Sequence, residues 1–284
     1  MRILILGGDG MLGHRLFRHL AGRHEVRVTL RRELKAYLGY GLFSDANAYA
    51  EVGMSDMSRL NSVVAGFRPE AVINCVGVVK QRQEAKSAIP SIEINALLPH
   101  RLAPLARASG ARLVQMSTDC VFSGRRGNYR ETDPPDAEDL YGRTKLLGEV
   151  VDEPCLTLRT SIIGRELSRK TGLLEWFLAQ RGKSVKGYRN AVFSGFTTTE
   201  MARIIERMLT SHPHASGLYH VSADAISKHD LLCRINAALG LNITVIPEDE
   251  PHCDRSLDST RFREEFGYHP PSWEAMVSEL AKET

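Results

Sequence analysis

The sequence predicts an α/β protein: a Rossmann-like, doubly wound parallel sheet with a smaller C-terminal lobe. Three observations predict it. Short β-branched runs alternate with amphipathic stretches through the first 164 residues, a glycine-rich turn follows the first run, and the alternation breaks after Gly164. Strands covered by helices on both faces read as unbroken apolar runs, and a repeated strand, helix, strand order builds a parallel sheet.

The strand candidates are "RILILG" at 2–7, "EVRVTL" at 25–30, "AVINCVG" at 71–77, "RLVQMS" at 112–117 and "CLTLRTSI" at 155–162. Helical spacing of apolar residues fills the intervals at 12–20, 60–67 and 95–108, with three to four apolar positions per two turns. Residues 1–164 are therefore expected to form the dinucleotide-type domain, with elements near 190–222 returning to it, and 165–284 to be mainly a second lobe. In that second half "GLLEWFLAQRG", "TTTEMARIIERMLT" and "SKHDLLCRINAALG" read as helices, the second opened by capping threonines. "GLYHVSA" and "NITVIP" read as strands, and the rest of the chain reads as a polar tail ending in "PPSWEAMVSEL".

Composition narrows the class. The 37 basic and 34 acidic residues are interleaved and leave a net charge of +3, so no clustered cationic footprint for nucleic acid is visible. Five cysteines, Cys75, Cys120, Cys155, Cys233 and Cys253, are scattered without CxxC spacing. They point to free thiols in a reducing cytoplasm rather than to disulfides or structural zinc. "PHCDR" at 251–255 likewise lacks the spacing of metal ligands, and no metal is expected. The apolar start of "MRILILGGDG" runs straight into glycines, unlike a signal peptide, and no apolar stretch reaches membrane-spanning length.

"GGDGMLG" places Gly7, Gly10 and Gly13 in GxxGxxG spacing directly after the first strand and at the start of a helix. Glycines permit the tight turn and the close approach of backbone to a pyrophosphate, whose charge meets the helix N-terminal N–H groups. Gly7, Gly10, Met11, Leu12 and Gly13 are thus the expected cradle of a dinucleotide. At the end of the second strand a carboxylate would accept the ribose hydroxyls of NAD, yet this chain reads "VTLRR". Arg31 and Arg32 there suit a 2′-phosphate, so NADP(H) is preferred over NAD(H). Both arginines as solvated residues after an edge strand is the alternative that stays open.

Tyr141 and Lys145 in "YGRTK" lie four apart, on one side of a helix, where a neighbouring ammonium favours the phenolate and makes tyrosine a usable general acid/base. Thr118 closes the strand "RLVQMST", at the strand end where ligands sit in open α/β sheets. Its hydroxyl could donate to a substrate carbonyl.

Together these residues resemble the extended short-chain dehydrogenase/reductase family. "STDCVFSG", "YGRTKLLGE", "LRTSIIG" and "DRSLDSTRF" resemble its dTDP-4-dehydrorhamnose reductase branch over nearly the whole chain. The resemblance implies an NADPH-dependent reductase of a 4-keto deoxysugar nucleotide, in surface polysaccharide or deoxysugar synthesis. It implies that Tyr141 supplies the proton, Lys145 holds the nicotinamide ribose and Tyr141, and Thr118 polarises the carbonyl. It further implies cofactor contacts at Met54, Cys75, Val76 and Gly77, and a second lobe that grips the nucleotide diphosphate. Asp119, Cys120, Ile162 and Trp176 are the expected substrate contacts, with Lys80 and Arg255 the basic residues favoured for the diphosphate over Arg82, Lys86, Lys186 and Arg189.

The chain departs from the branch in places. Cys120 stands where a tyrosine is usual, and reads as a small wall residue. Gly53 replaces an aspartate associated with the adenine, leaving the backbone near Met54 as the wall and Asp56 as a helix N-cap. Ile162 replaces a tryptophan platform, for which Trp176 either compensates or is a core aromatic. An epimerase or dehydratase of the same superfamily is the sibling reading, but dehydratases place a second acid after the aspartate, where this chain has Cys120. A non-catalytic NADP-binding regulatory subunit, as among relatives that bind methionine adenosyltransferase, is the reading from another class. The small-molecule partner is a nucleotide sugar; neither nucleic acid nor membrane is expected, and a homodimer stays open.

Overall fold

The computed structural model describes residues 1–79 and 87–283. The chain forms two compact units. The first gathers Met1–Ser117, Asp139–Leu158 and Ala202–Leu218; the second gathers Thr118–Glu138, Arg159–Met201 and the residues from Tyr219 on.

The first unit carries the expected doubly wound sheet. Strands β1 (Arg2–Leu6), β2 (Glu25–Thr29), β3 (Ala48–Tyr49), β4 (Ala71–Asn74), β5 (Arg112–Met116) and β6 (Cys155–Arg159) pair in parallel in the order β6-β5-β4-β1-β2-β3. Register sets Ile5, Ile73, Val114 and Leu156 in one row, with Val28 beside Ile5. All five are essentially fully buried, and burying each aliphatic side chain stabilises the fold by about 1.5–3 kcal/mol. A one-residue slip in any strand would send its alternate residues to the wrong face. The same register aligns the strand ends, so that Leu6, Asn74 and Gln115 are neighbours and Asn74 Nδ2 donates to Gln115 Oε1 at 2.8 Å. The turn after Leu6, the stretch from Cys75 and the end of β5 therefore emerge along one edge of the sheet.

Helices α1 (Met11–Leu20) and α2 (Met57–Phe67) cover the sheet through residues such as Leu16, Leu20, Leu60 and Val64. Asp56 caps α2 as expected, its carboxylate accepting from the Arg59 N–H at 2.9 Å. The stretch expected as one helix over 95–108 begins earlier and changes pitch: α3 (Ala88–Ser91), a π-helical segment (Ile92–Leu97) and α4 (Leu98–Ala108). Such widened turns often mark functional positions, and this one holds Asn95. Helix α5 (Leu140–Leu147) comes next among the helices. Strand β3 is too short, at two residues, to leave an alternation in the sequence.

In the second unit, strands β7 (Ile162–Ile163) and β10 (Phe196–Thr197) pair in parallel, as do β8 (Ser184–Tyr188) and β13 (Thr244–Glu248). A three-stranded sheet joins β12 (Ile226–Ser227), β9 (Ala191–Phe193) and β14 (Cys253–Asp254). Helix α6 (Leu173–Leu178) and α8 (Lys228–Leu239) lie where helices were expected; α7 (Thr198–Thr210), whose residues from Ala202 on belong to the first unit, opens with Thr197 Oγ1 accepting from the Glu200 N–H. Strand β11 (Gly217–His220) joins the large sheet beside β6. The stretch read as a polar tail instead holds α9 (Thr260–Phe266) and α10 (Trp273–Lys282). Phe262, Phe266, Trp273, Met276, Val277 and Leu280 are buried there; helical spacing separates these apolar residues by charged ones, so the run looks polar when read linearly.

Candidate active site

The glycine-rich turn is built as its spacing requires. Gly7 sits at φ +81°, in the region that favours glycine. A Cβ on Gly13 would lie 2.1 Å from the Gly7 carbonyl oxygen, so helix α1 can start against the turn only without a side chain there. Gly8 is equally constrained, because its Cβ would meet the Val28 side chain at 2.5 Å. At the N-cap, Gly10, no side chain caps α1, and no acid occupies its first turn. That leaves first-turn N–H groups for an anion, and the turn fits the diphosphate of a dinucleotide.

Opposite the turn stands the stretch after β4. Val76 Cγ2 would lie 3.0 Å from a Cβ on Gly7, and the Val76 N–H donates to Asn74 Oδ1 at 3.1 Å. The neighbouring Cys75 thiol is pushed up to about 12 by burial. It stays protonated at neutral pH, a wall rather than a nucleophile.

Helix α5 brings in the tyrosine and lysine. Asp139 caps it, accepting from the Gly142 N–H at 2.8 Å, and half-buried Tyr141 and buried Lys145 stand one turn apart. Lys145 Nζ donates to the Met116 carbonyl at the end of β5, at 2.6 Å. Burial pulls the amine down to about 8, against the opposing pull of Glu149 and Cys75. The Ser117 hydroxyl donates to Glu149 Oε1 at 2.6 Å, which holds that carboxylate beside the strand end.

Asn95, on the π-helical segment, braces this region. Its amide accepts from the Val78 N–H at 2.9 Å and donates to the Val78 carbonyl and to Thr144 Oγ1. A Cβ on Gly148 would lie 1.9 Å from the Asn95 carbonyl oxygen, so α5 ends in contact with the π segment. Lys145, Cys75, Val76 and the glycine turn thus converge in the first unit.

Thr118 belongs to the second unit. Its hydroxyl accepts from the Cys120 N–H and donates to Asp119 Oδ1, both at 3.1 Å. Thr118 and Asp119 are buried, and Asp119 is held above the ordinary carboxylate range by burial, against the pull of Arg255 and of hydrogen bonds from Cys120, Thr118 and Ser161. Arg255 Nε donates to the Phe122 carbonyl at 2.7 Å. Thr118, Asp119, Cys120 and Arg255 therefore form one group, joining a turn and a segment more than 130 residues apart in the chain.

The other expected residues are placed less tightly. Arg31 and Arg32 are exposed after β2; the Arg32 guanidinium lies over the Tyr37 ring, 5.2 Å from its centroid. Met54 is partly buried against the apolar core of the first unit, and Gly77 lies beside Asn95 Oδ1. Ile162 is half-buried on β7. Trp176 is 41% exposed, which rules out the core reading of that ring. Lys186 on β8 pairs with Glu248 on β13, and Arg189 pairs with Asp249 just past the ends of those strands. Lys80, Arg82 and Lys86 lie outside the described residues. Among the described residues no cluster of three metal-ligating side chains occurs, and no helix is long and apolar enough to cross a membrane.

Against known proteins, the whole chain, residues 1–284, matches the RmlD substrate binding domain family. The chain belongs to that family. This member is 34% identical to the dTDP-4-dehydrorhamnose reductase of Streptomyces griseus over 149 residues, 52% of this chain and 43% of that protein. It is 29% identical to methionine adenosyltransferase 2 subunit beta of Bos taurus over 153 residues, 52% of this chain and 41% of that one. Each alignment spans less than half of the relative. The crystal structure of dTDP-4-dehydrorhamnose reductase from Bacillus anthracis in complex with NADP superposes with a TM-score of 0.81 at 22% identity, covering 100% of this chain and 99% of that one. The reductase branch indicated by the motifs is thus the one this RmlD-family chain resembles in sequence and fold.

Several supporting residues escape a linear reading of this family member. Asn95 hides inside the apolar run "IEINALL", where a lone amide is the only signal. Tyr37 is fully buried, accepts from the Arg32 N–H at 3.3 Å and donates to Asp9 Oδ2 at 3.2 Å. Asp9, Glu149 and Gly148 become visible only through such contacts.

Proposed function

We propose that the protein is an NADPH-dependent reductase of a 4-keto sugar nucleotide. The observation that carries this reading is the buried Lys145, one helical turn from Tyr141, fixed to the end of β5 and converging with the glycine turn and the Cys75–Val76 wall. A reduced nicotinamide, when bound, supplies the hydride. Tyr141 hands a proton to the carbonyl oxygen that becomes a hydroxyl. Lys145 binds the nicotinamide ribose and keeps positive charge beside Tyr141, while the thiol wall at Cys75 keeps water away. Thr118 donates a hydrogen bond to the carbonyl oxygen, and Asp119, Cys120, Ile162, Trp176 and Arg255 contact the sugar nucleotide, with Lys80 as a further cationic contact.

The first-turn N–H groups of α1 bind the cofactor diphosphate, Arg31 and Arg32 bind a 2′-phosphate, and Met54 lines the adenine side. The arginines and the NADP complex of the Bacillus anthracis reductase support NADP(H). A supply of deoxysugars for surface polysaccharide agrees with this chemistry, as does a protein of the cytoplasm.

The similarity to methionine adenosyltransferase 2 subunit beta favours a second reading, a cofactor-binding regulatory subunit. NADPH oxidation followed against 4-keto sugars linked to dTDP, UDP and GDP separates the two. Consumption with one nucleotide is expected. Tight NADPH binding with silence across the panel would favour the second reading.

A further inference from the structure

The Thr118 hydroxyl has one proton and two acceptor positions. One position is filled by the Cys120 N–H and the proton is directed at Asp119 Oδ1, each at 3.1 Å. In this arrangement the hydroxyl has no proton for a substrate oxygen. Asp119 in turn is fixed: its N–H donates to the Thr160 carbonyl at 3.3 Å, its carboxyl is bonded by Ser161, and Arg255 faces it while anchored to the Phe122 carbonyl.

We infer that Asp119 is a positioning residue that decides where the Thr118 proton points. As a carboxylate it accepts that proton and occupies the hydroxyl. As a carboxylic acid it donates its own proton to Thr118 Oγ1, which then has both acceptor positions filled and its proton free for the substrate carbonyl. The proton on Asp119 is exchanged with solvent and none passes to product, so the arrangement switches a hydrogen bond without a net transfer. Thr118 would then be a conditional donor, with the neutral carboxyl as its condition. This is a different role from the direct sugar contact proposed for Asp119 above.

The groups facing the carboxyl oppose one another. Arg255 and the hydrogen bonds from Thr118, Cys120 and Ser161 favour the ionised form, whereas burial favours the neutral one and prevails. The inference rests on the reading that Thr118 meets a substrate carbonyl, so its test has one arm that needs no substrate.

In that arm, ¹³C-carboxyl NMR follows the titration of Asp119 in the protein and in Thr118→Val, with Asp119→Asn assigning the resonance. Loss of the hydroxyl removes a charge-assisted bond to the carboxylate and only a weaker bond from the neutral acid, so the midpoint is expected to move up in Thr118→Val; an unmoved midpoint overturns the inference. Thr118→Ser, which keeps the hydroxyl, is expected to leave the midpoint in place and supplies a second test should Thr118→Val fail to fold; a midpoint that moves as far in Thr118→Ser as in Thr118→Val overturns the inference.

In the second arm kcat is measured against pH. It is expected to fall by about 10²-fold as pH rises through the Asp119 midpoint, the size of one lost oxyanion donor. Asp119→Asn, whose amide can donate to Oγ1 at every pH, is expected to lack that break; persistence of the same break overturns the inference. If no 4-keto sugar nucleotide is turned over, the reductase reading fails, while the titration still decides whether Asp119 holds the Thr118 proton.

Discussion

Each unit of the molecule buries a group that is ordinarily charged at neutral pH, Lys145 in the first and Asp119 in the second, and the two are shifted in opposite directions. In the first unit Lys145 sits against a neutral carbonyl and is pulled down from 10.5 to about 8. In the second, Asp119 is ringed by donors and a guanidinium, yet burial still raises it above 3.8. Burial overrides the local partners in both cases, because removing a charge from water costs more than the two favourable neighbours of Lys145 or the four of Asp119 return. The two groups therefore disfavour the fold over different pH windows. Lys145 opposes folding below about pH 8, and Asp119 opposes it above its own raised midpoint.

The most severe way to break the first side of this comparison is Tyr141→Phe. It removes the proposed proton donor beside Lys145 and is expected to lower kcat by about 10²–10⁴-fold with little change in NADPH affinity. Steady-state kinetics and a cofactor titration check both halves. Next in size is Gly13→Ala, whose methyl would meet the Gly7 carbonyl oxygen at 2.1 Å. Loss of about 3 kcal/mol or more is expected from forcing the backbone apart, with cofactor affinity falling in parallel; urea unfolding and fluorescence titration measure the two.

Lys145→Met isolates the cost of the buried amine. Between pH 8 and 10.5 the unfolded chain holds the Lys145 proton more tightly than the folded one, so the Lys145 contribution to stability rises with pH through that window, offset above about pH 9 by the Cys75 thiol, which the folded chain keeps protonated. At neutral pH the substitution is expected to stabilise by about 2 kcal/mol, because the cost of the buried ammonium disappears while its hydrogen bond to Met116 is also lost. Between pH 8 and about 9, below the titration of the Cys75 thiol, the slope of Tm against pH should be smaller in the variant than in the wild type. Replacing Arg31 and Arg32 together with alanine has the smallest expected effect: about tenfold weaker NADPH binding, with NADH little changed. Equal losses for both cofactors would remove these arginines from 2′-phosphate recognition.

How much is legible in the sequence differs between the same two regions. The row of Ile5, Ile73, Val114 and Leu156 belongs to strands that each stand out as short apolar runs. The glycine turn and the Tyr141–Lys145 spacing are local patterns too, within one turn of chain. Lys145's anchor at Met116, Asn95's grip on Val78 and the joining of Asp119 to Arg255 are not local. They depend on register and on segments far apart in sequence, which leave no periodic mark. The Cys120 N–H bond to Thr118 leaves no mark in the sequence either. Trp176 reads either as core or as platform from its surroundings in the chain, and only its exposure decides against the core.

Hydride transfer is tested by the fate of deuterium from NADPH labelled at the nicotinamide C4, followed into a 4-keto sugar nucleotide by NMR. Label is expected on the sugar C4, and is expected to be absent in Tyr141→Phe over the same time. Bound NADPH with no label in any sugar would contradict the reductase reading and leave a protein that holds the cofactor without using it.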